Sequence, residues 1–222
     1  MHKSIMQILA DFFNQGGPFM WVILIVFAVA CAVALERVIF YFIMCGNDTA
    51  RLVADLAKAL NEDRIDEAHR IALRKKAPVN VLLATAIDCF KSGMPLSDIQ
   101  EGVDEAAIKE LPRMTQRLNY LSLFANIGTL LGLLGTIAGL QQMFSSLAAV
   151  EAEKKAAMLA SGISQAMNAT AFGLIVAIPC MVLYTSFFNK QARLMRDLDE
   201  AVVRFMNYLR KKLASSHAGE NR

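Results

Sequence analysis

Three stretches of this chain run for close to twenty residues or more without a charged side chain, and densely charged segments join them. That alternation sets the fold class. The first run, Pro18–Leu35 (PFMWVILIVFAVACAVAL), ends at Glu36-Arg37. At a rise of ~1.5 Å per residue it just crosses a hydrocarbon core of ~30 Å. Val38–Met44 can continue the helix into the headgroup zone while Arg37 snorkels toward water. The second run is Leu118–Phe144 and the third Ile163–Phe188, with Tyr184 placed as an interfacial anchor. Charged residues make up 19% of the chain and apolar ones 55%, whereas a soluble domain carries roughly a quarter charged residues. The expected fold is an all-α membrane protein with three transmembrane helices, the second and third extended into a cytoplasmic helical bundle.

Basic residues set the expected orientation. Only Lys3 precedes the first span, and only Lys154 and Lys155 lie between the second and third, offset by Glu151 and Glu153. Arg113 and Arg117 abut the second span, and Lys190, Arg193 and Arg196 abut the third. The N-terminus is therefore expected outside and the C-terminus in the cytoplasm. Residues 1–17 form a periplasmic segment, with Ile5, Ile8, Leu9 and Phe12 at the spacing of a short interfacial helix. Residues 18–44, 118–144 and 163–188 are the spans, 45–117 a cytoplasmic helical domain, 145–162 a periplasmic loop, and 189–222 a cytoplasmic helix with a disordered tail from Ser215. A signal peptide fits the N-terminus badly, because Asp11, Asn14, Gln15, Gly16, Gly17 and Pro18 interrupt any early apolar run.

The aqueous segments read as helices. Thr49 is the expected cap of a helix carrying Leu52, Val53, Leu56 and Leu60 and ending near Asn61. Helices over Asp66–Lys75 and Val79–Ser92 follow, separated by Pro78, with Gly93 and Pro95 as the next stop. Ser97 and Gln100 have the spacing of a capping box, and Pro112 is expected to kink the helix they start. Leu194, Leu198, Val202, Phe205, Leu209 and Leu213 make a stripe expected to pack on that same helix.

Several chemistries are excluded. A net charge of +3 is too small to indicate nucleic acid. Cys31, Cys45, Cys89 and Cys180 share no metal or redox spacing and read as small hydrophobes, and His2, His69 and His217 build no ligand cluster. No metal or other cofactor is implied. No GxSxG, HExxH, P-loop or buried acid pair marks an enzyme.

The polar side chains of the spans are hydroxyls and amides, among them Asn126, Thr129 and Thr136 in the second and Gln165, Asn168 and Thr170 in the third. A protein that moves protons through a bilayer by itself needs an ionisable group at depth, and none is present. Gly128/Gly132 and Gly135/Gly139 are two GxxxG pairs, four glycines in twelve residues, which points to a tightly packed helix interface. Pro179 is tolerated in the third span only if neighbours satisfy the carbonyl it frees. The threonines either bond their own preceding turn and glue helices together, as in a structural scaffold, or form a polar ring in a pore.

The run Gly128–Phe144, GTLLGLLGTIAGLQQMF, resembles the P-x-x-G-L-L-G-T-V-x-G-M-x-x-x-F signature of the ExbB/TolQ/MotA proton-channel family. Gly162–Pro179, GISQAMNATAFGLIVAIP, resembles that family's G-I-S-x-A-L-x-x-T-A-x-G-L-x-V-A-I-P. The GGPFMW before span one and Glu36-Arg37 after it are also similar. The resemblance covers nearly the whole chain. It implies a homopentamer in the bacterial inner membrane, with helices two and three lining a pore that holds single-span helices of an ExbD/TolR-like partner. A membrane aspartate of that partner would carry the ion, and a TonB/TolA-like protein would be a further partner. Thr136 and Thr170 match the family's pore threonines. Gln165 stands where several ExbB and TolQ members carry glutamate, and Thr129 where a proline is common. A ring of oxygens would also suit Na⁺ as the coupling ion.

Overall fold

The computed structural model describes residue 13 and residues 16–45, 48–147 and 151–220. The expected interfacial helix over residues 4–13 lies almost entirely outside them. The described elements are helical: α1 Pro18–Val38, a π-helical turn Ile39–Met44, α2 Thr49–Asn61, α3 Ile65–Ala72, α4 Pro78–Lys91, α5 Leu96–Thr115, α6 Leu118–Leu147 and α7 Ala152–Glu220. Among the described residues, three helices are long and apolar enough to cross a membrane, and they contain the three predicted runs. The chain divides into two compact units, one made of Met1–Glu36 with Arg117–Ser186, the other of Arg37–Gln116 with Phe187–Arg222.

In the first unit, α1 starts where the sequence permits nothing else. Gly17 takes φ +74°, and Pro18, whose fixed φ suits the first helical position, follows it. The Met20 amide closes that turn on the Gly17 carbonyl at 3.2 Å. Helices α6 and α7 flank the segment expected as a loop over 145–162, and both reach into it: α6 runs to Leu147 and α7 begins at Ala152. Ala, Glu, Lys, Met and Leu dominate the start of α7, and these are strong helix formers. Helix α7 passes through Pro179 without interruption.

The second unit has its own core. Leu56, Leu60, Leu82, Leu83, Ile87, Ile99, Phe205 and Leu209 are each at most 1% exposed. All six residues of the C-terminal stripe belong to this core or pack on it, together with residues of α2, α3, α4 and α5. The stripe therefore joins a shared core rather than pairing with α5 alone. Polar contacts fix it against the end of α2: the single Tyr208 hydroxyl proton is shared between Asn61 Oδ1 (2.6 Å) and the Ala57 carbonyl (3.1 Å), and Lys212 Nζ donates to the Leu60 carbonyl. Lys212 also holds the Asp63 carboxyl below its ordinary range. The helix continues to Glu220, past Ser215, where the sequence suggests a disordered tail.

Local details depart from expectation for identifiable reasons. Asp48, not Thr49, caps α2, its Oδ1 accepting from the Arg51 amide. Ser97 and Gln100 form no capping box, because α5 begins two residues earlier than a Ser97 cap would set it and Pro95, which has no side-chain acceptor, is its cap. Ser97 bonds Asp98 and Gln100 bonds Asp104 instead. Pro112 lies in the last turn of α5, and the chain leaves the helix at Gln116 and at Arg117, whose φ is +62°. Arg37 does not snorkel. It is 3% exposed, lies 5.3 Å from the Phe40 ring centroid and donates through Nη1 to the Arg113 carbonyl. Burial pushes the Cys45 thiol up to about 11, so it stays protonated and inert.

Phe205 and Val203 sit two positions apart on α7, one 1% and the other 59% exposed. Truncation of Phe205 to Ala is expected to cost about 3–5 kcal/mol of the second unit's stability, and that of Val203 to Ala under about 0.5 kcal/mol. Denaturant unfolding of both variants checks the contrast.

Candidate hydroxyl face of the paired spans

Helices α6 and α7 of the first unit run antiparallel along a line of small residues. On α6 the line is Gly128, Gly132, Gly135 and Gly139, all buried. Opposite lie Gly173, Ala169 and Ala166, together with Ala177 at Gly128 and Gly162 at Met143. A methyl built on Gly173 would come within 2.6 Å of the Gly128 carbonyl and 3.0 Å of Gly132 Cα, so backbone meets backbone with no room for a side chain. A methyl on Gly132 would lie 3.3 Å from the Ala169 carbonyl and from the Cα atoms of Thr170 and Gly173. In lipid no hydrophobic force joins two helices, and close approach of this kind supplies the van der Waals contact that does.

Helix α1 covers one side of this pair. Met20, Ile23 and Ala30 form a buried cluster with Phe172, Val176, Ala177 and Cys180, flanked by Phe124 and Leu131. Phe13 stacks edge-on against Phe172 with centroids 4.9 Å apart. At 3.6 residues per turn, Phe124 and Leu131 lie roughly 60° to one side of the α6 glycine row, and Thr129 and Thr136 roughly 80° to the other. On α7, Phe172 and Gln165 lie roughly 90° to the α1 side of the small-residue row, and Thr170 roughly 55° to the opposite side. Because the helices are antiparallel, the three threonines converge on one face, away from α1.

Their hydroxyl protons are all committed to backbone. Thr129 Oγ1 donates to the Ala125 carbonyl (3.1 Å), Thr136 Oγ1 to the Leu133 carbonyl (2.6 Å), and Thr170 Oγ1 crosses to the Gly132 carbonyl on α6 (3.2 Å). A hydroxyl that spends its proton this way still has oxygen lone pairs to offer. The face is thus an acceptor surface, able to receive a hydrogen bond from water or a protonated acid, or to help coordinate a cation.

Gln165 and Asn168 do not join it. The Gln165 amide packs on Gly17, where a methyl would lie 2.4 Å from Nε2, so its side chain fastens the turn before α1. Asn168, half-buried, lies further round the same side. Pro179 and Asn126 are exposed. Gly173 and its alanine neighbours carry no polar atom and were not singled out from the sequence. Their signal is the small-residue spacing 162, 166, 169, 173, 177 on one helical face, the complement of the α6 glycines. Among the described residues, no group of His, Cys, Asp and Glu could hold a metal ion.

The second and third apolar helices thus meet at backbone distance and present uncharged hydroxyls on one face. Residues 72–200 match the MotA/TolQ/ExbB proton channel family. The ExbB homolog of Methanothermobacter thermautotrophicus is 26% identical over 79% of this chain and 61% of its own length. The ExbB-like protein 1 of Synechocystis sp. is 30% identical over 84% of this chain and 73% of its own length. TolQ of the Tol-Pal system of Haemophilus influenzae is 26% identical over 55% of this chain and 59% of its own length. The chain belongs to the MotA/TolQ/ExbB proton channel family.

Gly173→Ala is expected to lower stability in detergent or nanodiscs by about 1–3 kcal/mol through overpacking against backbone. Gly139→Ala, whose methyl would meet Ala166 at an ordinary 3.4 Å, is expected to be nearly silent. Thermal melting of the two variants side by side checks this.

Proposed function

We propose that this chain is the ion-conducting subunit of an inner-membrane motor that turns ion-motive force into work on the cell envelope. The observation that carries the reading is the convergence of Thr129, Thr136 and Thr170 on one face of the α6–α7 pair, each with its proton bonded to backbone and its oxygen left to accept. Family membership and the absence of any charged residue from the three apolar runs support it. A titrating group is then needed from outside the chain. An ExbD/TolR-like single-span protein would bring an aspartate into a pore lined by α6 and α7 of a homopentamer, and a TonB/TolA-like protein would take up the work. The proton is the proposed ion. A protonated carboxyl of the partner would donate to a threonine oxygen in transit, and the ionised form would be stabilised by water held on the same face.

The distribution of basic residues favours a periplasmic N-terminus and a cytoplasmic C-terminus, with Arg113, Arg117, Lys190, Arg193 and Arg196 on the cytoplasmic side. Glu36 and Arg117, at the ends of the first and second apolar runs, pair at 2.7 Å. This contact suits the region where hydrocarbon gives way to water.

Thr136→Ala and Thr170→Ala preserve the close packing and delete the hydroxyl. Each is expected to leave assembly intact and to lower ion flux by about tenfold, the equivalent of one hydrogen bond of ~1.4 kcal/mol. Thr170→Ser is expected to keep most of the flux. Flux measured in vesicles containing the chain and its partner decides the matter. Unchanged flux in both alanine variants, with assembly intact, would leave a packing scaffold as the function.

A further inference from the structure

Residues 68–87 contain no acidic side chain, and Arg70, Arg74, Lys75 and Lys76 fall among them. Residues 73–76 are the turn between α3 and α4, and all four side chains are exposed, that of Leu73 included. Among the described residues, Arg70, Arg74 and Lys76 make no ion pair, although pairs form at the other end of the same two helices. The turn has a fixed shape. Asn80 Nδ2 donates across it to the Ala72 carbonyl at 2.8 Å, the Leu73 and Arg74 amides close on the His69 and Ile71 carbonyls, and Ala77 beyond is buried. A surface ordered in advance costs little to engage.

Its level along the molecule follows from contacts inside the second unit and from the covalent chain. Ala77, Pro78 and Val79 line one small cavity together with Cys45, Met114 and Leu194. Each of the last three stands close in sequence to an apolar run. Met114 is four residues before Leu118, and Cys45 directly follows the turn Ile39–Met44. Leu194 is six residues past Phe188 on an unbroken helix, ~9 Å at ~1.5 Å per residue. The opposite end of the α3–α4 hairpin is marked by the Asp66–Lys91 pair at 2.6 Å, and Gly102 in the first half of α5 lies beside Cys89 there. Helix α5 therefore runs from that far end toward the turn and on into the second apolar run. The basic turn is the end of the hairpin next to which the chain enters its spans. A headgroup layer of ~5–8 Å lies outside the hydrocarbon on each side, within reach of long basic side chains. In sequence, Arg74 is thirty residues from Met44 and forty-four from Leu118, beyond the ~15–20 residues over which basic residues bear on a span's orientation. Only the fold brings it there.

We propose that Leu73, Arg74, Lys75 and Lys76 form a docking site for anionic phospholipid headgroups. The Arg74 guanidinium fork suits two phosphate oxygens, and Lys76 adds a compact charge beside it. Leu73 enters the boundary between headgroups and acyl chains, the place of an apolar residue among basic ones at a membrane surface. An acidic face of a second copy would meet the charge but gives the exposed leucine no role. The inference rests on the three apolar helices crossing a bilayer and not on ion conduction, since none of these residues belongs to the threonine face.

The test uses the full-length chain with Cys31, Cys45, Cys89 and Cys180 replaced by Ala, in phosphatidylcholine nanodiscs at low salt. A fluorophore is attached at Leu73→Cys, at Met94→Cys beyond the far end of α4, or at Ile25→Cys in the first apolar run. Phosphatidylglycerol or phosphatidylcholine carrying a nitroxide at the top of the acyl chain is the quencher, each at the same mole fraction. Both lipids are expected to quench position 25, and neither position 94. Phosphatidylglycerol is expected to quench position 73 about fivefold more effectively than phosphatidylcholine, the preference that one basic side chain at a membrane surface supplies. Arg74→Gln with Lys76→Gln is expected to lower that preference severalfold, and Arg210→Gln with Lys211→Gln to leave it unchanged. Equal quenching of position 73 by the two lipids, or none by either, with position 25 quenched, would overturn the headgroup site; docking on a second copy would give that result. An unquenched position 25 would instead overturn the membrane crossing on which the site depends.

Discussion

Everything in the first unit depends on how closely α6 approaches α7. Gly173 lies against the Gly128 carbonyl and Gly132 Cα so tightly that one added methyl would overlap them. That contact fixes the register of the two helices, and the register brings Thr170 within reach of the Gly132 carbonyl and on to the same face as Thr129 and Thr136. A larger residue at Gly173, where backbone meets backbone, would push the helices apart and break the Thr170 hydroxyl contact that crosses between them. Bilayer lipids are as apolar as the side chains, so the pair is held by contact geometry rather than by exclusion of water.

The same geometry underlies the proposed role of an uncharged pair of helices in ion chemistry. A buried carboxylate or ammonium in a span is costly unless partnered, and this chain carries none in its apolar runs. It presents oxygen acceptors whose protons are already committed, so the face neither titrates nor competes as a donor. Under the proposed function, such a surface would complement a titrating group supplied by another chain. The placement of α1 fits this reading. By packing with Phe124, Leu131 and Phe172, it covers the side of the pair opposite the threonines.

Much of this was legible in the residues. The spans follow from three charge-free runs, and the family from the ordered motifs at Gly128–Phe144 and Gly162–Pro179. What was not legible depended on which face a side chain takes or which of several local partners wins. Gln165 is five residues from Thr170, which does not determine a shared side, and the turn at Gly17 claims its amide. Ser97 and Gln100 match the capping pattern, but Pro95 starts the helix earlier and each finds a nearer carboxylate. Arg37 at the end of an apolar run suggests snorkelling, whereas its guanidinium finds an aromatic ring and a helix-end carbonyl from a part of the chain seventy-six positions away. Long-range partners of this kind leave no trace in local sequence pattern.

The most direct test of the central claim is the water accessibility of the threonine face in native membranes. In a background with Cys31, Cys45, Cys89 and Cys180 replaced by Ala, single cysteines at positions 129, 136 and 170 are compared with cysteines at 131 and 172, using a membrane-impermeant maleimide in the assembled complex. The account predicts labelling at the first three positions and protection at the last two. Labelling at 131 and 172 with protection at 129, 136 and 170 would place water on the α1 side and contradict it.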